Sequence, residues 1–253
     1  MKKLLTVIAG LLLAASPLFA QMKVVAHRGY WNSPGAAQNS LAALRNAYAA
    51  GAWGSEFDVH ITSDGVVVVN HDDDIHGILI ETASYGELKD LTLANGEALP
   101  TLRQYLEAAR SLGSMQLVLE IKEHQTADRE DRCVAACLRE VSEAGLGDRV
   151  DYISFSLHAC EEMVRLAPEA RVFYLGGELP PASAKAKGFA GIDYDGSVIL
   201  QHPEWVGESH ALGMTVNVWT VDELRDIERC RQAGVDYLTT NKPVEALRIA
   251  AGR

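Results

Sequence analysis

Ionisable side chains stand at regular points in this sequence, inside or directly after strand-like apolar runs. The set comprises His27, Arg28, Glu56, Asp58, His71, Glu120 and Lys122. Glu56 and Asp58 are two residues apart, so in an extended strand both side chains point to one face. Glu120 and Lys122 repeat this spacing in a later run. The pattern predicts that several strands direct their ionisable groups toward one place.

The three carboxylates predict a metal site. If Glu56, Asp58 and Glu120 lie in one place, they repel one another and raise each other's pKa, which makes an unpaired cluster costly. A bound cation removes that cost. A ligand set of carboxylate oxygens suits Ca²⁺ or Mg²⁺ better than Zn²⁺ or copper. The sequence therefore predicts a divalent cation, Ca²⁺ or Mg²⁺, as the cofactor.

The remaining four groups fit chemistry on an anionic substrate. Arg28 and Lys122 beside such a cation are donors for phosphate oxygens, and a guanidinium can hold two of these oxygens at once. His27 and His71 carry side chains that titrate near neutral pH, as general acid–base catalysts do. Together the residues predict acid–base catalysis on a small anionic molecule.

Short aliphatic runs alternate with amphipathic segments along the chain. We predict eight strands, at residues 23–27, 55–61, 116–122, 151–156, 171–176, 188–194, 214–220 and 235–240. Helical patterns occupy residues 39–52, 101–113, 126–144, 160–168, 221–234 and 242–252. This alternation is typical of parallel βαβ units, and eight units of this length fit a closed (β/α)8 barrel better than an open sheet. In such barrels chemistry gathers at the C-terminal ends of the strands.

The stretch from Val66 to Pro100 is the main irregularity, because it is longer than a βα connection needs. We interpret it as an extension of the second strand followed by a small cap insertion at about residues 72–99. The predicted fold class is therefore α/β, a (β/α)8 TIM barrel with a small cap insertion after the second strand.

The first 20 residues have the pattern of a secretory signal peptide. Two lysines precede an uncharged, largely apolar stretch that ends at Ala20 and is short of the roughly 20 apolar residues that a spanning helix needs. The alternative is an uncleaved membrane anchor. We expect a barrel domain from residue 21 to residue 253, periplasmic or secreted, without stable membrane insertion after cleavage.

Composition limits the partners and the redox chemistry. The 253 residues carry a formal net charge of −11, which argues against a nucleic-acid partner. Four cysteines are too few for a disulfide scaffold in a domain of this size. We expect buried free thiols, with a Cys160–Cys230 bridge as the alternative.

Several motifs, in this order and spacing, resemble the glycerophosphodiester phosphodiesterase family. They are AHRG at 26–29, EFDVHITSDGVVVVNHD at 56–72, TLRQYLEAA at 101–109, LEIK at 119–122, VNVWTVDE at 216–223 and GVDYLTTNKP at 234–243. The resemblance covers almost all of the chain after residue 20. It implies an enzyme that hydrolyses glycerophosphodiesters to glycerol phosphate and an alcohol, with the substrate's own glycerol hydroxyl as nucleophile and a cyclic phosphate as intermediate.

The resemblance also implies a role for each matching residue. Glu56, Asp58 and Glu120 correspond to ligands of the divalent cation. The other matching positions correspond to the acid–base pair, His27 and His71, and to the phosphate contacts, Arg28 and Lys122. The insertion from about residue 72 corresponds to the family's small cap.

Two further residues matter for the site. Gln38 stands where the family usually has a glutamate in a Pro-Glu-Asn-[Ser/Thr] turn, so the position keeps hydrogen-bonding capacity and loses a charge. Trp219 ends the seventh predicted strand, either as an aromatic at the edge of the core or as a wall against the glycerol moiety. His60 shares a strand face with Asp58 but is assigned no role.

Two rival functions remain open on the sequence. A phospholipase of the C or D type acting on intact lipids would use similar barrel chemistry, but the predicted cap has no stretch that combines exposed aromatic and basic residues. A barrel that binds phosphodiesters without turnover is suggested by Gln38, whereas the retained histidines and acids argue for an enzyme. Hydrolysis of a panel of glycerophosphodiesters separates these functions.

Overall fold

Strands and helices alternate through residues 21–252, which the computed structural model describes; the predicted signal peptide lies outside the described residues. The strands are β1 (Lys23–Ala26), β2 (Gly54–Ile61), β3 (Val67–Val69), β4 (Asp74–Ile75), β5 (Ile78–Leu79), β6 (Gln116–Ile121), β7 (Val150–Ser154), β8 (Arg171–Tyr174), β9 (Gly191–Asp195), β10 (Thr215–Trp219) and β11 (Tyr237–Thr240). The helices are α1 (Leu41–Ala50), α2 (Tyr85–Leu88), α3 (Leu102–Arg110), α4 (Ala127–Ala144), α5 (Leu157–Leu166), α6 (Pro181–Ala186), α7 (Gly196–Gln201), α8 (Glu204–Ala211), α9 (Leu224–Ala233) and α10 (Pro243–Ala250).

Eight of these strands close into a parallel barrel. The hydrogen-bonded order is β1-β11-β10-β9-β8-β7-β6-β2, and β1 pairs with β2 as well as with β11, which completes the ring. Helices flank the ring and follow the strands in sequence. The predicted (β/α)8 TIM barrel is therefore confirmed, with all eight predicted strands in place.

Outside residues 66–100, three short helices, α6, α7 and α8, are not predicted from the sequence. Each has at most eight residues and begins at or beside a proline or glycine, so none shows a full amphipathic pattern. The predicted helices follow the expected signals more closely. In α1 the Ser40 side chain accepts a hydrogen bond from the Ala43 amide at the N-terminus, and Gly51 ends the helix in the left-handed region.

Side chains alternate between the two faces of the barrel wall, as the pleat requires. Phe57 and Val59 on β2 belong to the large apolar cluster between the strands and the outer helices. A separate inner cluster fills the barrel axis, with Val25, Val118, Ile153, Phe173 and Leu175. Glu56 and Asp58 therefore point inward, above this inner cluster, toward the C-terminal mouth of the barrel.

Residues 66–100 differ from the prediction in one respect. The segment does not extend the second strand; β3 turns back and pairs antiparallel with β2, with Val59 opposite Val69. The residues that follow form the β4–β5 hairpin and α2, around an apolar cluster of their own that includes Ile75, Ile80 and Leu88. That this insertion covers the site as a cap stays a prediction.

All four cysteines are buried with free thiols. Burial raises the pKa of Cys160 and of Cys230, to about 11 for Cys230. Between residues 21 and 252 there is no helix with the length and apolar character that a membrane crossing requires.

Candidate active site

The three predicted carboxylates meet at the mouth of the barrel. Asp58 on β2 lies directly opposite Glu120 on β6 in the parallel register, and Glu56 lies one inward position earlier on β2. One oxygen from each residue can be chosen so that the three atoms lie within 4.8 Å of one another. All three side chains are buried. The strand register, which the sequence does not give, is what brings Glu120 to Asp58.

The electrostatics of this cluster call for a cation. Burial, followed by the charges of Asp58 and Glu120, raises the pKa of Glu56 well above its usual value. Burial and the Asp58 charge likewise raise the pKa of Glu120 to about 7. Glu56 Oε1 and Asp58 Oδ1 are buried without a hydrogen-bond partner among the described residues. Unsatisfied carboxylate oxygens that converge in this way are suitable ligands for a hard divalent cation.

Lys122 and Asn39 hold the cluster in place from two sides. Lys122 Nζ lies 2.8 Å from Glu120 Oε1 and 3.5 Å from Asp58 Oδ1. Burial lowers the pKa of Lys122, but these carboxylates together raise it above its usual value, so the amine stays charged. Asn39 Nδ2 donates to Asp58 Oδ2 at 2.9 Å, and Asn39 Oδ1 accepts from the Asp58 amide at 3.1 Å. The paired bonds fix the orientation of Asp58.

Arg28 is held over the cluster by its own backbone. Its φ is +54°, and its amide donates to Glu56 Oε2 at 2.7 Å. The next residue, Gly29, has φ +74°, and a Cβ there would lie 2.7 Å from the Ala43 backbone, so only glycine lets α1 approach this closely. The Arg28 side chain donates to Gln38 Oε1 at 2.6 Å, with its Nε 3.7 Å from Asp58.

His27 is oriented by a chain of hydrogen-bonded side chains from the segments that follow β10 and β11. Its Nδ1 lies 3.0 Å from Asn241 Oδ1, which also accepts from the Trp31 indole, while Asn241 Nδ2 donates to Asp222. Because the Asn241 oxygen is an acceptor, His27 carries its proton on Nδ1 and leaves the Nε2 lone pair free. Nε2 is 4.0 Å from Glu56. Burial, then the Arg28 charge, lowers the pKa of His27, which keeps the ring neutral.

His71 reaches the same mouth because β3 runs back along β2. The Asn70 amide donates to the Asp58 carbonyl at 3.0 Å, which places His71 beside the carboxylate cluster. Its Nδ1 lies 2.7 Å from Asp72 Oδ1, and its carbonyl is 3.3 Å from His60 Nε2. Burial lowers the pKa of His60 to about 4, so this ring is neutral and can donate to the carbonyl.

Trp219 lines the cavity in front of the cluster, which has a volume of about 110 Å³. His27, Arg28, Glu56 and Glu120 form one wall, and Ile153, Phe155, Leu175 and Trp219 form the other. Trp219 packs edge to face against Phe155 with ring centroids 5.2 Å apart, and its indole donates to the Asp193 carbonyl at 3.0 Å. The cavity is thus ionic on one side and apolar on the other.

The structure brings all eight predicted site residues to this end of the barrel. The cavity itself is lined by His27, Arg28, Glu56, Glu120 and Trp219, and its lining does not include Asp58, Lys122 or His71. Reasoning from the sequence missed four polar residues that support them: Asn39, His60, Asp222 and Asn241. Asn39 follows Gln38 in the turn at residues 37–40, and Asn241 lies in the closing TTNKP, so both motifs held a signal. His60 and Asp222 gave none, because their roles depend on strand pairing.

Gln38→Glu should raise KM by two- to fivefold and leave kcat nearly unchanged. Gln38 is exposed and bonded to Arg28, so the new carboxylate would share the guanidinium with the substrate phosphate. An ion pair at such a wet position is worth about 0.2–1 kcal/mol, which limits the change in KM to about fivefold. Steady-state kinetics at fixed cation concentration measure it, with Gln38→Ala as the matched control that removes the bond without adding charge. If neither KM nor cation affinity changes, the charge at residue 38 does not affect function.

Comparison with known proteins places the chain in a family. Residues 27–245 match the profile of the glycerophosphoryl diester phosphodiesterase family. A glycerophosphodiester phosphodiesterase of Caldanaerobacter subterraneus is 27% identical, over 87% of this chain and 94% of its own length. A crystal structure of a glycerophosphodiester phosphodiesterase from Parabacteroides distasonis is 48% identical with a TM-score of 0.90, covering 92% of this chain and 98% of that one. An Oleispira antarctica phosphodiesterase in complex with the product sn-glycerol-3-phosphate is 25% identical with a TM-score of 0.80, over 91% and 97% of the two chains. This chain belongs to the glycerophosphoryl diester phosphodiesterase family.

Proposed function

We propose that this protein is an exported, metal-dependent phosphodiesterase that hydrolyses glycerophosphodiesters to glycerol phosphate and an alcohol. The observation that carries the proposal is the buried Glu56–Asp58–Glu120 cluster, with Arg28 and Lys122 beside it, in a chain of this family. The small-molecule substrate is supported by the Oleispira relative, whose structure holds sn-glycerol-3-phosphate.

The carboxylate cluster would hold one divalent cation, Ca²⁺ or Mg²⁺. Bound there, the cation would act as a Lewis acid on a phosphoryl oxygen. Arg28 and Lys122 keep positive charge at the same place and would hold the remaining phosphate oxygens. Together they orient the diester so that its phosphorus faces the histidines.

The hydrogen bonds of the two histidines suit different roles, His27 as the general base and His71 as the general acid. His27, with its proton on Nδ1 and Nε2 free, would take the proton from the glycerol hydroxyl that attacks phosphorus. His71, whose Nδ1 is bonded to the Asp72 carboxylate, would give a proton to the oxygen of the departing alcohol. In the second step water opens the cyclic phosphate, and the two residues exchange roles.

Hydrolysis of a panel of glycerophosphodiesters, with and without chelator, tests this function. We expect turnover that chelation abolishes and that Ca²⁺, Mg²⁺ or Mn²⁺ restores. Hydrolysis of intact phospholipid at the same rate would favour a phospholipase. If no diester is hydrolysed in the presence of any of these cations, a binding protein is the better description.

Export is a separate part of the proposal and rests on the sequence of residues 1–20. We propose that they form a signal peptide and that the barrel acts in the periplasm or outside the cell. Expression of the full chain, followed by fractionation and N-terminal sequencing, tests it: the extracellular or periplasmic protein should begin near Gln21. A protein retained in the cytoplasm with Met1 intact would contradict the proposal.

A further inference from the structure

Asp193 is a buried carboxyl group that the proposed chemistry does not use. It lies on β9 between Ile192 and Tyr194, whose side chains belong to the cluster outside the barrel wall. Strand alternation therefore directs Asp193 toward the barrel axis. Its relative exposure is 2%, and its Oδ1 has no hydrogen-bond partner among residues 21–252.

The position of Asp193 is the floor of the site cavity. The residue lines the cavity in front of the carboxylate cluster and also the smaller void beneath it, so it separates the two. Its carbonyl accepts the hydrogen bond from Trp219, the aromatic wall of the same cavity. The carboxyl and the apolar wall thus belong to one surface, which faces Glu120 and His27 across the cavity.

A buried polar atom without a partner is rare in folded proteins and calls for an explanation. Burial raises the pKa of Asp193 to about 7. The hydrogen bond from the Asn217 amide lowers this pKa, and the charge of Asp151 raises it slightly. Near neutral pH the group can therefore accept or donate a hydrogen bond. A ligand hydroxyl can do both, so it satisfies the group in either protonation state.

The order of groups in a glycerophosphodiester indicates which of its hydroxyls would reach Asp193. Arg28, Lys122 and the carboxylate cluster take the phosphate, and the hydroxyl next to the ester is the proposed nucleophile. The terminal hydroxyl remains, on a short carbon chain that suits the wall formed by Phe155 and Trp219. The cavity of about 110 Å³ has room for a short polyol such as the glycerol moiety.

We propose that Asp193 is a specificity-determining residue that hydrogen-bonds the terminal hydroxyl of the substrate's glycerol moiety. The enzyme would then select diesters whose glycerol carries a free terminal hydroxyl over those in which that position is acylated or deoxygenated. This inference rests on the proposed function and deepens it, since it names the part of the substrate that the site recognises.

The test pairs an enzyme substitution with a substrate substitution. kcat/KM is measured for sn-glycero-3-phosphoethanolamine and for its analogue in which hydrogen replaces the terminal hydroxyl, with the wild-type enzyme, Asp193→Ala and Asp193→Asn. We expect the wild type to prefer the hydroxyl substrate by at least about tenfold, because loss of one partner leaves a buried group unsatisfied. Asp193→Ala should lose most of this preference and Asp193→Asn should keep part of it. The preference is a ratio within one preparation, so partial unfolding cancels.

Phe173→Leu is the matched control. Phe173 lies on β8 in the inner apolar cluster and lines only the lower void, so its truncation disturbs the interior without changing the lining of the site cavity. It should leave the hydroxyl preference unchanged. The inference is overturned if Asp193→Ala keeps the hydroxyl preference of the wild type. It is also overturned if the loss of kcat/KM in Asp193→Ala depends instead on whether ethanolamine is replaced by an uncharged alcohol. Absence of hydrolysis by the wild type would overturn the proposed function and this inference with it.

Discussion

Asp58→Asn is expected to weaken cation binding and to lower turnover by at least about 100-fold, because residues that only orient metal ligands already contribute about 10- to 100-fold. Asp58 is the centre of the cluster, opposite Glu120 in the strand register and fixed by Asn39. The amide keeps the shape of the side chain, removes its charge, and directs an NH₂ group at neighbours that are themselves donors. Calorimetric titration of the protein, after a chelator has removed its metal and has itself been removed, with Ca²⁺, Mg²⁺ and Mn²⁺ measures cation affinity independently of activity.

Asp151→Asn is the matched control for this loss. Asp151 is also a buried aspartate of the barrel interior, but it lies near the N-terminal end of β7, paired with Arg171 at 2.9 Å. It should cost stability without changing cation affinity. If Asp58→Asn retains near-normal activity after chelation, the assignment of the metal site is wrong.

The fold could be predicted from the sequence because the barrel strands carry strong local signals. Runs such as 116–122 and 214–220 are aliphatic enough to be assigned without knowledge of their neighbours. The prediction was wrong for residues 66–69, where an apolar run looks the same whether it lengthens β2 or pairs with it antiparallel. Strand pairing depends on residues outside the run itself, and here it decides where His71 lies.

Part of the candidate site could also be predicted from local sequence signals. Acidic, basic and histidine side chains at strand ends are visible in the sequence, whereas the groups that orient them are neutral amides or come from distant elements. Asn241 lies 214 positions from His27 along the chain, and its amide determines which ring nitrogen carries the proton. Asp193 was likewise hidden, since a lone acid in a strand gives no sign of whether it faces a cavity.

His27→Ala and His71→Ala should each reduce kcat/KM by at least about 100-fold, the lower end of what general acid–base catalysis contributes. The two losses should differ in their pH dependence. A base must be unprotonated, and the lowered pKa of His27 keeps it so, which means that wild-type activity should persist as pH falls below the usual histidine value. At lower pH, protonation of His27 should reduce the rate and give the pH–rate profile an acidic limb. His71→Ala should keep this limb, and His27→Ala should lose it. Full pH–rate profiles of both variants measure the difference.

The double variant distinguishes a shared reaction from two separate defects. Residues that act in one proton-transfer sequence are strongly non-additive, because the second loss removes a partner that is already idle. The loss in the double variant should therefore fall well short of the product of the single losses. His158→Ala is the control, since that histidine is exposed on α5 and pairs only with Asp131 among the described residues. Full activity in either single variant would remove that histidine from the mechanism, and a fully multiplicative loss would mean that the two rings do not serve one reaction.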